Sequence, residues 1–236
     1  LALYAARKQH VPLIATFHSK YRTDLEHSLP GWMVKRIMSR VMTFFDAADE
    51  VWIPQAKVEE TVREYGYKGK LTVVENGIDL EMSDFASIKA FKAEQRLKLG
   101  YTPETMVLLF VGQHIREKGV LLIIRAMDKL RDLPVKMEFI GTGYATEEMK
   151  NLIRQLHLED KVTLNGVISD REVLKSYYGA ADMFLFPSRY DNAPLVVREA
   201  AMMGTPAVLI AGSTASEVIK DGFNGFLVEE SPESYA

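Results

Sequence analysis

The sequence of 236 residues contains no cysteine. Disulfide bonds and thiolate-liganded metal sites are therefore excluded. A chain without cysteine suits a reducing compartment, and we predict a cytoplasmic location. The sequence also has no Asp-x-Asp pair, so a divalent cation held by carboxylates has no obvious ligands. We therefore expect neither a metal ion nor a cofactor.

Three further absences narrow the functional class. No apolar run reaches the roughly 18 residues that a membrane-spanning helix needs. The formal net charge is only −3, which gives no electrostatic case for nucleic-acid binding. A Gly-x-Ser-x-Gly nucleophile elbow is absent, as is a cysteine nucleophile, so covalent catalysis of these two kinds is not expected.

The first residues indicate where the chain lies in its parent protein. The sequence opens on Leu1 within a helical pattern, and it shows neither an initiator methionine nor a signal peptide. We therefore expect that residues precede Leu1.

Short apolar strands alternate regularly with helical segments from about residue 105. Strands are predicted at 106–111, 136–140, 162–164, 183–186, 207–210 and 225–228. Strands that are apolar on both faces and separated by helices indicate a parallel sheet covered on both sides. We predict a doubly wound α/β domain over residues 105–236, with its ligand at the carboxyl ends of the strands.

Residues 1–80 show the same alternation in a broken form. A long helix is predicted from Trp32 to Ala48, and strands are predicted at 13–17, 50–53 and 71–74. We interpret this segment as the later part of another α/β domain. Residues 81–104 are polar and charged, and we predict that they form the linker.

Two glycine-containing loops follow predicted strands. The first, Gly112–Gly119, opens a helix, so its backbone N–H groups and Lys118 are placed to face a diphosphate. A solvated first turn explains the same residues equally well. The second, Gly141-Thr142-Gly143, lacks the third glycine of a dinucleotide fingerprint. It fits either a contact with a nucleotide base or a tight strand-to-helix turn.

The stretch Asp191–Glu199 is the most informative part of the sequence. It places two carboxylates eight positions apart around the start of a helix that follows a buried strand. Glu199 has apolar neighbours and needs a partner, either a structural Arg or Lys or a ligand hydroxyl. Asp191 suits a ligand contact or an ordinary helix N-cap. Because helix starts also attract phosphate, the stretch indicates a sugar-nucleotide site.

His18 ends a predicted strand of the first domain. A lone histidine in such a place is more often a structural residue. The carboxyl end of a strand is also where ligands bind in this architecture, so both interpretations stay open.

Taken together, these segments resemble family 4 of the retaining glycosyltransferases, which have the GT-B fold of two Rossmann-like domains. The order and spacing of the motifs carry the resemblance. The matching segments are Ala15–His18, Glu75–Asp79, Leu109–Gly119, Phe139–Gly143, Phe186–Ser188, Asp191–Glu199, Gly204–Val208 and Glu217–Val228. The resemblance implies that the chain starts midway through the first domain and stops inside the second, before its last helices.

The resemblance also implies a catalytic role for three residues. Glu199 would hold the ribose of the donor, and Asp191 would contact the transferred sugar. His18 would touch that sugar near the reaction centre. Asp191 stands where the family has glutamate, which shortens the reach of this carboxylate.

The donor site follows from the same resemblance. Lys118 would bind a phosphate, and the backbone amides of Leu195 and Val196 would lie near the diphosphate. The other residues that would line this site are Gly112, Gln113, Gly141, Gly143, Asn192 and Ala193. Gln113 stands where the family usually has arginine, so one positive charge is missing, for which Arg116 or His114 could partly substitute.

The implied function is that of a retaining hexosyltransferase. The full-length protein would move a sugar from a UDP- or GDP-sugar to an acceptor hydroxyl that the sequence does not identify. Attack would come from the face that the leaving group departs from. The alternative is a truncated or non-catalytic nucleotide-sugar binding module, and we expect the chain as given to be inactive alone.

Residues 20–40 combine basic and aromatic side chains. Lys35, Arg36 and Arg40 are interspersed with Trp32 and other apolar residues, as in a helix that lies on a membrane surface. This pattern predicts peripheral contact with the inner face of the membrane. Packing of the helix against the sheet explains it equally well.

Overall fold

The computed structural model describes residues 1–26, 28–77, 85–189 and 191–236. The described residues divide into two compact units. The first comprises the residues up to Gly77 together with Asp191–Ala193, and the second comprises the remainder. Ile78 and Asp79 of the predicted turn lie outside the described residues, as do residues 81–84 of the predicted linker.

The first unit is an α/β arrangement around a parallel sheet. In chain order its elements are α1 (Ala2–Gln9), β1 (Ile14–Thr16), α2 (Tyr21–Glu26), α3 (Gly31–Asp46), β2 (Glu50–Ile53), α4 (Val58–Glu64) and β3 (Leu71–Val73). The strands lie in the order β1-β2-β3, with both neighbouring pairs parallel. The three strands and the long helix predicted for this segment are confirmed, with bounds that differ by a few residues.

Helix α3 shows how the sequence builds the core of this unit. Its buried side chains recur every three or four residues, at Val34, Met38, Met42 and Phe45. This spacing gives the helix one continuous apolar face. The face joins Val51 and Ile53 of β2 in a single hydrophobic core. Burial of each such side chain contributes roughly 1.5–3 kcal/mol to stability.

The second unit continues the alternation of strands and helices. In chain order its elements are α5 (Phe85–Lys98), β4 (Met106–Val111), α6 (Val120–Lys129), β5 (Val135–Ile140), α7 (Thr146–Gln155), β6 (Val162–Leu164), α8 (Arg171–Ala180), β7 (Met183–Phe186), α9 (Leu195–Met202), β8 (Ala207–Ile210), β9 (Gly225–Val228) and α10 (Pro232–Tyr235). Short 3₁₀ helices cover Arg116–Lys118 and Thr214–Val218.

The sheet of the second unit has the strand order β6-β5-β4-β7-β8-β9, and its neighbouring pairs are parallel. In β4, every residue from Val107 to Val111 is buried. Such a strand is covered on both faces, as the continuous apolar run predicted. The predicted strands and the doubly wound α/β class are therefore confirmed.

Helix α5 lies within residues 81–104, where the sequence predicted a linker. Lys92 Nζ and Arg96 Nη1 lie 2.7 and 2.8 Å from the carboxylate oxygens of Asp182, just before β7. Burial opposes ionisation of Asp182, but hydrogen bonds from Lys92, from the Val107 N–H and from Arg96 hold its pKa below the usual value. The charged residues that suggested a linker therefore include two that fasten a helix to the second unit.

The described helices are short. Helix α3, with 16 residues, is the longest in the part of the chain that the structure describes. None of these helices has the length and the apolar composition needed to cross a membrane.

Candidate functional site

The strand order of the second unit locates its ligand-binding crevice. The connections run outward in opposite directions from β4 and β7, so the topological switch point lies between these two neighbours. Ligands of open α/β sheets bind beside such a point, at the carboxyl ends of the strands. Gly112–Gly119 follows β4 and α9 follows β7, so both predicted phosphate-binding segments flank the switch point.

Lys118 lies at the carboxyl end of β7. Its Nζ is 5.6 Å from the centroid of the Phe186 ring, which ends that strand. Gly119 packs on Pro187 so closely that an added Cβ would lie 2.6 Å from the Pro187 carbonyl oxygen. Gly119 also has a φ of +68°, a left-handed conformation that glycine adopts readily. The two contacts hold the loop that carries Lys118 against the end of β7.

The Gly141-Thr142-Gly143 turn is required by packing. Gly141 has a φ of +134°, and an added Cβ would lie 1.9 Å from the Gly112 carbonyl oxygen. A Cβ on Gly143 would lie 2.3 Å from the His114 carbonyl oxygen. Both distances are far below van der Waals contact, so only glycine permits the loops after β4 and β5 to pack this closely. The tight-turn interpretation explains both glycines, and a contact with the nucleotide base stays a prediction.

His114 is a buried residue whose structural role the sequence did not reveal. Its side chain is 0 % exposed and packs edge-on against the Phe139 ring at 6.0 Å between centroids. Nδ1 lies 3.3 Å from Thr146 Oγ1, whereas Nε2 has no hydrogen-bond partner among the described residues. Burial lowers the pKa of His114 because a low-dielectric environment disfavours the charged ring. The imidazole is therefore neutral at neutral pH.

The positive charge missing at Gln113 is not restored by its neighbours. His114 is neutral for the reason just given, so its predicted substitution for arginine is wrong. The Arg116 Nε donates a hydrogen bond to Glu148 Oε2 at 2.8 Å, so this guanidinium already has a carboxylate partner. Gln113 itself is exposed. Lys118 is the cation that this loop holds at the end of β7.

Lowering the pH from about 7 to about 5 is expected to destabilise the second unit through His114. The pKa of a histidine side chain is near 6.5 in the unfolded chain, and the pKa of His114 in the folded protein is lower. Between these two pKa values the folded state binds fewer protons than the unfolded state, so stability falls as the pH is lowered through this range. The stabilisation is complete above about pH 6.5 and is lost as the pH falls through the folded pKa. Urea unfolding followed by far-ultraviolet circular dichroism should show a shallower dependence on pH in His114→Leu than in the parent.

A second histidine supplies the control for this prediction. His157 is exposed and has a φ of +55°, which asparagine tolerates. The His157→Asn variant should keep the pH dependence of the parent. Equal slopes for His114→Leu and the parent would contradict the assignment to His114.

The carboxylate of Glu199, which lies on α9, is oriented by a hydrogen bond from a tyrosine. The hydroxyl of Tyr178 donates a hydrogen bond to Glu199 Oε2 at 2.8 Å. Tyr178 lies on α8 and is 2 % exposed, and burial and the nearby carboxylate together raise its pKa, so it remains a donor at neutral pH. Thr205 Oγ1 donates to the Tyr178 carbonyl oxygen at 2.7 Å, which ties α8 to the turn after α9. The structure therefore gives Glu199 a hydroxyl partner from the protein, which the sequence did not suggest.

The start of α9 is not capped in the way that Asp191 suggested. The helix begins at Leu195 with Pro194 at the cap position, and proline has no side-chain acceptor for the first N–H groups. Asp191 lies three residues earlier and groups with the first unit, so its interpretation as an N-cap is wrong. Leu195 is exposed and Val196 is half-buried, so the predicted phosphate contacts lie at a helix end open to solvent.

The remaining predicted residues lie together in the first unit. His18 follows β1 and is exposed, and its carbonyl oxygen accepts a hydrogen bond from Asn192 Nδ2 at 3.0 Å. Asn76 Nδ2 donates to the Ala193 carbonyl oxygen at 3.3 Å. Asn192 is 4 % exposed, and its Oδ1 has no hydrogen-bond partner among the described residues. The structure thus brings His18 together with two of the predicted donor residues, whose roles stay predictions.

Several proteins similar to this chain are named as sugar-transferring enzymes. The α-monoglucosyldiacylglycerol synthase of Streptococcus pneumoniae is 26% identical over 232 residues, which cover 96% of this chain and 52% of that protein. The sulfoquinovosyl transferase SQD2 of Arabidopsis thaliana is 27% identical over 232 residues, which cover 96% of this chain and 44% of that protein. The chain thus spans about half the length of the curated relatives it matches.

Solved structures and family models also indicate a glycosyltransferase fold and family for this chain. The crystal structure of Anabaena HepE in complex with UDP and glucose matches with a TM-score of 0.78 at 21% identity, over 98% of this chain and 62% of that chain. This likeness confirms the predicted GT-B class of fold. Residues 1–82 match the model of glycosyltransferase family 4, and residues 91–236 match the model of glycosyl transferases group 1. The chain belongs to the glycosyl transferases group 1.

Proposed function

We propose that the full-length protein is a retaining glycosyltransferase that moves a sugar from a nucleotide-diphosphate sugar to an acceptor hydroxyl. The observation that carries the proposal is the Glu199 carboxylate, which Tyr178 orients on the helix after β7. A carboxylate accepts hydrogen bonds, and the hydroxyls of a donor ribose supply them. Membership of the glycosyl transferases group 1 supports this reaction. Asp191 and His18 contact the transferred sugar in this scheme.

We propose a uridine diphosphate sugar as the donor, in preference to a guanosine diphosphate sugar. The support comes from Anabaena HepE, a protein of the same fold that was crystallised with UDP and glucose. The base would lie against the loops after the strands of the second unit, as ligands do in doubly wound sheets.

The charge of the diphosphate leaving group is stabilised by two features in this scheme. One is the ammonium group of Lys118, which lies at the carboxyl end of β7. The other is the start of α9, because the N–H groups of a helix N-terminus carry partial positive charge. Groups that are already in position stabilise charge as it develops in the transition state. The scheme assigns no role to a metal ion.

Replacing Lys118 with alanine is expected to weaken UDP binding by about tenfold to a hundredfold. A hydrogen bond that involves a charged group contributes about 1.5–3 kcal/mol, and this variant loses one such contact with the diphosphate. Isothermal titration calorimetry should measure the affinities for UDP and for uridine. Uridine lacks the diphosphate, so its affinity should be the same in the variant and the parent.

Lys150 provides the matched control for this measurement. It is an exposed lysine of α7 that pairs with Glu147 at 2.7 Å. Lys150→Ala should bind UDP with the affinity of the parent. If Lys118→Ala also does so, the assignment of Lys118 to the diphosphate is wrong.

The second candidate function is that of a non-catalytic nucleotide-sugar binding module. It is favoured by the reduced positive charge of the loop after β4, where Gln113 replaces arginine and His114 is neutral. A glycosyltransferase releases UDP from the donor, whereas a binding module binds the donor without releasing UDP. Full-length protein should be incubated with a panel of UDP-sugars at concentrations above the dissociation constant, and released UDP should be measured. Binding without any release of UDP would favour the binding module and overturn the proposed transfer.

A further inference from the structure

Helix α3 of the first unit presents a line of side chains to solvent. Trp32, Arg36, Arg40 and Phe44 recur every four residues, and such a spacing places side chains along one side of a helix. Trp32 is 69 % exposed and Phe44 is 37 % exposed, and both arginines are exposed. Lys35 is also exposed and lies beside this line. We refer to these five residues as the α3 surface.

The α3 surface is positively charged. The helix contains three cations and one carboxylate, that of Asp46 at its last residue. Within the described residues, no carboxylate pairs with Lys35, Arg36 or Arg40. Their charge is therefore available to a partner outside the unit.

One groove of the first unit brings two carboxylates and a residue of the α3 surface into the same lining. Glu26 and Glu64 line a groove that also includes Lys35. Glu26 is already paired with Arg22 at 2.7 Å. The positive charge therefore remains in excess, and it is concentrated on the two arginines of the line.

An apolar slot opens on the α3 surface. Its volume is about 510 Å³, and Tyr21, Ile37, Val41 and Phe44 contribute to its lining beside Arg40. The cationic side chain of Arg40 thus borders a cavity with a largely apolar lining, and Arg36 lies one helical turn before it. A partner that fits this surface combines negative charge with apolar groups.

We propose that the α3 surface binds a membrane that contains anionic lipids. Basic side chains attract anionic headgroups, and this attraction acts over about a Debye length. Tryptophan is favoured at the headgroup level because its ring is apolar and its N–H is polar. A helix with basic and aromatic residues on its exposed face lies in the plane of the interface. The exposed indole and the apolar slot select a lipid surface over a soluble polyanion.

Co-sedimentation with vesicles tests this proposal on the chain as it stands. The chain should bind vesicles that contain phosphatidylglycerol and should show at least tenfold weaker binding to vesicles of phosphatidylcholine only. Binding to the anionic vesicles should weaken as the salt concentration rises, because salt screens the attraction. Equal binding to both vesicle types, or no binding to either, would overturn the proposal.

Two double variants separate the α3 surface from the overall charge. Arg36→Glu with Arg40→Glu should weaken binding to anionic vesicles by at least tenfold, since each basic residue contributes to the attraction. Lys89→Glu with Arg125→Glu makes the same change in net charge at exposed positions of the second unit and should bind as the parent does. Equal weakening in both variants would show that the α3 surface is not the binding site.

Tryptophan fluorescence reports on the insertion of Trp32. The chain has two tryptophans, and Trp52 on β2 is half-buried with its Nε1 donating to Glu50 Oε2 at 2.8 Å. Anionic vesicles should shift the parent emission to the blue, and this shift should vanish in Trp32→Phe.

Double-stranded DNA serves as a soluble polyanion in a competition experiment. If it competes fully with the vesicles and no blue shift occurs, the surface binds polyanions and the membrane assignment is wrong.

Discussion

Replacing Glu199 with glutamine is expected to lower kcat/KM for sugar transfer by about 100-fold. Glutamine has the size of glutamate and can still accept the hydrogen bond from Tyr178, but it lacks the negative charge. Hydrogen bonds to a charged group exceed neutral ones by about 1–1.5 kcal/mol, and two ribose hydroxyls would face this carboxylate. A loss of about 1.4 kcal/mol corresponds to a factor of ten, so two such losses give the expected value. Release of UDP from a UDP-sugar by full-length protein measures this effect.

Two further variants show whether a loss of activity in Glu199→Gln comes from the missing charge of the carboxylate. Tyr178→Phe keeps the ring beside Phe184, at 5.8 Å between centroids, and removes only the hydroxyl that orients the carboxylate. Its loss should be smaller, about tenfold, and should appear mainly in KM because the carboxylate remains. Glu172→Gln makes the same chemical change at an exposed position of α8 and should be neutral. A Glu199→Gln enzyme within about threefold of the parent would rule out the ribose assignment.

The strands of the second unit could be predicted from the sequence because burial leaves a direct pattern. Residues 106–111, 183–186, 207–210 and 225–228 are apolar runs bounded by polar or small residues, and the observed strands have the same bounds. The strand order was not predicted, because it depends on pairing between segments far apart in the chain, and such pairing leaves no pattern in any one segment.

Helix α5 and the partner of Glu199 could not be predicted for a different physical reason. The apolar signal of α5 is weak: Leu97 is 81 % exposed, whereas the polar Gln95 is buried. Its attachment combines the packing of Phe91 on the hydrophobic core with ion pairs to Asp182, and ion pairs between distant residues have no periodicity in sequence. Tyr178 and Glu199 are likewise 21 positions apart on different helices. Only the packing of α8 beside α9 brings them together.

Replacing Gly141 with alanine is expected to lower the free energy of unfolding of the second unit by about 2–6 kcal/mol. The φ of +134° is strained for any residue with a Cβ, which costs about 1–3 kcal/mol. The new methyl group would also lie 1.9 Å from the Gly112 carbonyl oxygen, so the backbone of one loop must move. Overpacking of this kind costs about 1–3 kcal/mol more. Because the movement displaces the loop that carries Lys118, UDP binding should weaken in the same variant.

Gly166 separates the backbone strain of this substitution from its steric clash. Its φ is +69°, but an added Cβ would meet nothing within 4 Å. Gly166→Ala should therefore cost only about 1–2 kcal/mol, the strain of a left-handed alanine. Both tryptophans lie in the first unit, so urea unfolding of the second must be followed by far-ultraviolet circular dichroism. Equal losses in the two variants would mean that the contact between Gly141 and Gly112 does not hold the loops after β4 and β5 together.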